Sequence, residues 1–157
     1  MKAGNVFLFV LRLLVGAMFA VAGFTKLIQP YQNFLAVVHS YEIVGGMTAV
    51  TVARTLPWVE LTLGVFLFLG LWLKAAAFSL WALNTAFIAV AASALWRKLP
   101  IEKCGCFGDA LSLPLGQLLI LDAALWCVLG GLFVLNLQAS HFSLDQFFQK
   151  KGGSHAV

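Results

Sequence analysis

Four apolar runs dominate the chain, and each is long enough for a helix to cross a hydrocarbon layer of about 30 Å. The first extends from about Val6 to Ile28, interrupted only by Arg12 and Lys26, and Pro30 stops it. The second, residues 56–73, opens on Leu56-Pro57-Trp58-Val59-Glu60, with proline in the first helical turn, and ends in a tight turn around Gly70 to Lys74. The third, residues 75–96, carries no charge and stops at Arg97-Lys98-Leu99-Pro100. Ser112-Leu113-Pro114 starts the fourth, which reaches about Leu137. Between the first two spans, Tyr31, Phe34, Val37, Val38 and Tyr41 recur at helical spacing. Gln32, Asn33, His39, Ser40 and Glu42 fill the opposite side. That pattern predicts an amphipathic helix at the interface, ended by Gly45-Gly46. Residues 47–55 either extend the second span or form a turn before it. The expected architecture is an all-α integral membrane protein. Residues 1–137 form a single four-transmembrane-helix bundle, with the amphipathic segment between helices 1 and 2. A polar, flexible tail follows from Gln138.

Composition agrees: 62% of the residues are hydrophobic and 10% charged, too few polar groups to cover a soluble domain of this length. Four spans leave room for little else in 157 residues, so the chemistry is expected in the spans and their connections. The formal charge of +4 comes without a basic run. It reads as membrane-flanking lysine and arginine and excludes a nucleic-acid partner. The first apolar run is too long for the core of a secretory signal, and an uncleaved first helix is expected.

An even number of spans puts the first and third connections on one side of the bilayer. The amphipathic segment, Glu60 and the third connection therefore share a face. Lys and Arg are almost evenly divided between the two sides, so orientation is assigned on chemistry. Paired thiols have most to do in an oxidising compartment. That places Cys104 and Cys106 in the periplasm and the termini in the cytoplasm of a bacterial inner-membrane, multi-pass protein.

Cys104-Gly105-Cys106 is the segment that carries chemistry, because it holds two of the three cysteines in the chain. Four readings of it stand open. The pair can cycle between dithiol and disulfide. A Cys-x-Cys ring departs from relaxed geometry, which favours exchange over stapling, and the central glycine has the backbone freedom to close it. It can bind Cu(I), which accepts few soft ligands. It can be a structural disulfide, or two inert thiols. The redox reading is favoured, since Lys98, Lys103 and the start of the fourth helix would all support a thiolate. Cys127, in the middle of the fourth span, is expected to be a buried small hydrophobe.

Arg12, Glu60 and Asp122 are ionisable groups within apolar spans, which makes them functional candidates. Glu60 and Asp122 are assigned as proton-handling groups beside the catalytic thiols. Arg12 orients the polar centre, and an Arg12–Asp122 ion pair is the structural alternative. Glu60 and Lys26 are expected as a salt bridge near the thiol-side surface. Gly16, Gly23, Asn84 and Thr85 are expected to serve helix packing.

Several of these motifs together resemble the DoxX-like/MauE family of redox-associated membrane proteins. They are Arg12 with Ala22-Gly23-Phe24-Thr25-Lys26-Leu27, then Tyr41, Leu56-Pro57-Trp58-Val59-Glu60 and Cys104-Gly105-Cys106-Phe107-Gly108. The last block points to the MauE-like branch. The resemblance implies a four-helix bundle working with periplasmic disulfide chemistry and a thioredoxin-like partner or a disulfide-containing substrate. It also implies a membrane quinone as electron acceptor, with Trp58 and Arg12 as the residues that would stand near it. The architecture is similar to vitamin K epoxide reductase homologues, which use Cys-x-x-Cys and a second cysteine pair. This chain has no cysteine in its first connection, so an external protein would supply the second pair. No resident metal is expected. The competing functions are an assembly or anchoring subunit with structural thiols, and a Cu(I)-handling protein.

Overall fold

A computed structural model describes residues 3–99 and 115–139. Cys104, Cys106, the start of the fourth span before Leu115 and the tail beyond residue 139 lie outside the described residues. The described residues form α1 (Ala3–Ile28), α2 (Tyr31–Ser40), α3 (Gly46–Leu69), α4 (Leu73–Trp96) and α5 (Leu115–Ala139), and no strand. Four of these helices, all but α2, are long and apolar enough to cross a membrane. The chain is an all-α bundle of the expected class.

One boundary differs in a way that moves the chemistry. The sequence pattern opened the second span at residue 56, whereas α3 begins at Gly46 and runs through Pro57. Residues 47–55 are helical despite their β-branched content. The Thr51 hydroxyl donates to the Met47 carbonyl and Thr55 to that of Thr51, so neither seeks a partner elsewhere. Ala49 and Ala53 give this stretch a buried, small-residue face. Glu60 therefore lies fourteen residues into α3, roughly 20 Å from its start at 1.5 Å per residue. It does not stand at the thiol-side surface. Trp58, likewise well inside the helix, is exposed on its outer face.

Packing is tightest between α1 and α3. Added Cβ atoms at Gly16, Gly23 and Gly64 would fall 2.7, 2.6 and 2.5 Å from the backbone nitrogens of Phe68, Leu61 and Ala20. The two backbones touch along this seam, with glycine as the residue that permits it. Gly16 and Gly23 were expected to do this; Gly64 completes the contact from the other side.

At one end of the bundle Val15, Phe19, Leu67, Leu80 and Leu129 form the larger apolar cluster. At the other, Tyr41, Ala91, Ala94 and Leu118 form a second, with Val37, Val90 and Leu99 packed against it. Asn84 lies between the two clusters on α4, and Asp122 between them on α5. The α4–α5 pair is also pinned by Trp126, whose Nε1 donates to Thr85 Oγ1 at 2.9 Å. Cys127 is exposed on α5, contrary to its expected burial. On this helix Leu125 and Leu129 take the buried stripe, and Cys127 falls on the opposite side.

Candidate functional site

The site begins with the glycine seam. Because Gly23 meets the backbone of Pro57 and Leu61, the next turn of α1 sets Lys26 directly against α3. There Lys26 Nζ donates to Glu60 Oε1 at 2.8 Å and to Oε2 at 2.6 Å. The two side chains are 2% and 1% exposed, so this is an interior ion pair where a surface one was expected. The correction follows from the α3 boundary, which carries Glu60 into the bundle. The Lys26 ammonium also lies 5.1 Å from the Phe34 ring centroid and 5.9 Å from that of Phe87, so aromatic faces from α2 and α4 complete its surroundings.

Lys26 forms part of the wall of an apolar cavity of about 270 Å³. Phe34, Val37, Val38 and Tyr41 line it from α2 and the turn after it, Val52 and Leu56 from α3, Phe87 and Val90 from α4, and Leu118 from α5. Yet α2 buries none of its own residues. It lies across the cavity as a cover held at both ends. The Arg54 guanidinium stacks on Tyr31 at 4.5 Å from the ring centroid, and Arg97 Nη2 donates to the Tyr41 carbonyl. The Arg97–Glu42 approach, at 4.0 Å and well exposed, adds little.

On the other side of Glu60 is a second cavity of about 20 Å³, lined by Glu60, Asn84 and Asp122 together with Met18, Phe19, Ala22, Phe87 and Leu125. All three polar residues are at most 4% exposed. Asn84 Nδ2 donates to the backbone carbonyl of Asp122 at 2.8 Å, which ties α4 to α5. Two of the sequence candidates, Glu60 and Asp122, are thus brought to one place. Arg12 is also buried, on the α1 stripe that includes Val15, Phe19, Ala22 and Lys26, and lies 4.9 Å over the Phe9 ring. Trp58 lines neither cavity.

The connection carrying Cys104 and Cys106 leaves α4 at a defined place. Lys98 takes a left-handed conformation (φ 52°). The Leu99 N–H then closes on the Ala94 carbonyl at 3.1 Å, in the manner of a Schellman stop. This turn folds Leu99 back onto the Tyr41–Leu118 cluster at the cavity rim.

A sequence profile described as methylamine utilisation protein MauE matches residues 4–135. The chain belongs to the MauE family. The methylamine utilization protein MauE of Paracoccus denitrificans is 31% identical over 114 residues, which make up 73% of this chain and 61% of that relative. The chain therefore matches less than two thirds of the relative's length. No solved structure matches. Four apolar helices and the family together make this a multi-pass membrane protein.

Lys26 is the site residue that sequence reasoning undervalued. Its signal was spacing: Arg12, Phe19 and Lys26 recur every seven residues, so both cations of the span occupy one stripe and face the bundle.

Proposed function

We propose that the chain is a membrane thiol–disulfide redox protein. Its Cys104/Cys106 pair takes electrons from the dithiol of a periplasmic thioredoxin-like or substrate protein, which leaves with a disulfide, and passes them to a quinone in the apolar cavity. The supporting observation is that α4 and α5 border the cavity near the ends that the thiol-bearing connection joins, through Val90 and Ala91 on one and Leu118 on the other. Leu99, just before that connection, packs on the cluster that contains Tyr41 and Leu118.

The chemistry balances. A partner dithiolate attacks the Cys104–Cys106 disulfide to give a mixed disulfide, and the second partner thiol resolves it. The partner leaves oxidised and this pair is left as a dithiol. Re-forming the disulfide releases two electrons and two protons, and a quinone accepts both to become a quinol. The net reaction converts partner dithiol and quinone to partner disulfide and quinol.

The cavity suits a neutral ring. Glu60 balances the charge of Lys26, so the wall offers no net attraction to an anion, while a third N–H remains to donate to a carbonyl oxygen. At about 270 Å³ the cavity is at the small end of ligand pockets, which start near ~300 Å³. That is enough for one ring with its tail emerging into lipid.

Quinone reduction by a reduced dithiol protein, measured on purified protein in lipid, tests the reading. Cys104→Ser and Cys106→Ser are each expected to abolish it. Undiminished turnover in both would leave an anchoring role, with the thiols structural. A membrane-impermeant thiol reagent on intact cells should label the reduced pair, and absence of labelling would overturn the periplasmic assignment. Metal analysis after reducing purification should find no copper; bound Cu(I) would favour metal handling.

A further inference from the structure

The small cavity has a property that electron transfer leaves unused. Asn84 is fully buried, and its Nδ2 is committed to the Asp122 carbonyl. That bond fixes the orientation of the amide, because a carbonyl can accept from Nδ2 and not from Oδ1. Oδ1 is left as an interior acceptor that no donor among the described residues reaches. A bare acceptor is costly in a low-dielectric interior, and a small polar occupant removes the cost. The cavity measures about 20 Å³. A water needs roughly 10–15 Å³ and two to four polar partners, so the space holds one water and no organic group. Its polar walls, Asn84, Glu60 and Asp122, come from three helices.

We infer that one water occupies this cavity, donating to Asn84 Oδ1 and to a carboxylate, and that Asp122, this water and Glu60 form a proton relay ending on Lys26. The wall between the two cavities is thin. Phe87 lines both, and Glu60 on the small side grips Lys26 on the large side. The purpose of the relay rests on the quinone reading. A reduced ring oxygen takes a proton from Lys26. With Lys26 neutral, the Glu60 carboxylate takes a proton through the water from a protonated Asp122 and hands it to Lys26. Asp122 is re-protonated by one of the two protons that disulfide formation releases, so protons arrive singly. The ionisable groups on the faces packed here are Lys26 and Arg12 on α1, Glu60 on α3 and Asp122 on α5. The ionisable residue of α4, Lys74, stands ten residues from Asn84, and α2 presents Phe34. Asp122 is a positioning residue here, acting through water and Glu60.

Three measurements on the full chain in lipid nanodiscs test this. A structure that shows ordered solvent should have density in the small cavity within hydrogen-bond distance of Asn84 Oδ1. An empty cavity overturns the proposal whatever becomes of the quinone reading. In dithiol-driven reduction of a short-chain ubiquinone, Asp122→Asn should lower kcat roughly 100-fold, the scale of a lost proton-transfer group. KM for the quinone should not change, the pH profile of kcat should flatten, and Asp122→Glu should restore most of the rate. Unchanged kcat, or kcat and KM failing together, overturns the relay. Wild-type protein that reduces no quinone defeats the quinone reading instead. The infrared carboxylic-acid band then decides: it should vanish in Asp122→Asn and shift in Asn84→Leu, and its indifference to both removes the relay.

Discussion

Lys26 of α1 and Glu60 of α3 face each other at 2.6 Å with both side chains buried, one turn beyond the point where the backbones of the two helices touch. Seam and ion pair are one construction. Close backbone approach brings the two side chains within reach, and the pair neutralises two charges that the apolar interior could not hold separately.

Removing one partner strands the other. Glu60→Gln or Lys26→Met should destabilise the protein by about 3–5 kcal/mol, the usual scale for breaking a buried pair. The double variant Lys26→Met/Glu60→Leu should recover much of that loss. Unfolding in mixed detergent, followed by circular dichroism, measures both. A double variant no better than the singles would show that the pair is held for packing and not for charge balance.

Glycine substitutions should separate by location. Gly23→Ala and Gly64→Ala push a methyl into backbone and should cost about 1–3 kcal/mol, as overpacking does. Gly131→Ala meets nothing within 4 Å and should be neutral or stabilising by up to about 1 kcal/mol, since glycine is a poor helix former. The same unfolding assay ranks them, and equal effects at all three positions would refute the seam.

Arg97→Ala should release the cover. It removes a charged donor from the Tyr41 carbonyl, worth about 1.5–3 kcal/mol. If that free energy governs local opening, amide exchange over residues 31–44 should accelerate by roughly 10–100-fold. Exchange in α4 should be unchanged. Uniform acceleration throughout the bundle would instead mean that Arg97 supports the whole fold.

Filling the cavity should separate binding from folding. Ala86 lines it from α4, and Ala86→Phe should raise KM for a quinone at least several-fold while leaving the unfolding transition little changed, because the added ring enters open space and not a packed core. An unaltered KM would place the quinone elsewhere.

Much of this was legible in the chain. Apolar run length and the Pro30 and Pro100 stops marked the spans, and the same periodicity that predicted an amphipathic α2 named Phe34, Val37 and Tyr41 as its inner face. The motifs around Lys26, Glu60 and Cys104 carried the family. What escaped was depth. Pro57 is as much at home in the first turn as inside a membrane helix, where neighbouring helices re-satisfy the freed carbonyl. Reading it as a start put Glu60, and with it the salt bridge expected with Lys26, at the surface and not in the interior where the pair is found. Gly64 and the bond from Asn84 to the Asp122 backbone were hidden for another reason. They are contacts between helices, and one-dimensional periodicity says which face is buried without saying what it meets.

The cover formed by α2 has a consequence for supply. It walls the large cavity with the half-buried Phe34, Val37 and Val38, and none of its residues is fully buried, so it is the wall held least deeply. The remaining walls come from α3, α4 and α5, with Lys26 of α1. On the quinone reading, a ligand that displaced α2 would enter sideways from the lipid. Its chance of arrival is set by how many such molecules share the same plane of membrane, and a hydrophobic tail that makes a compound nearly insoluble becomes its means of delivery.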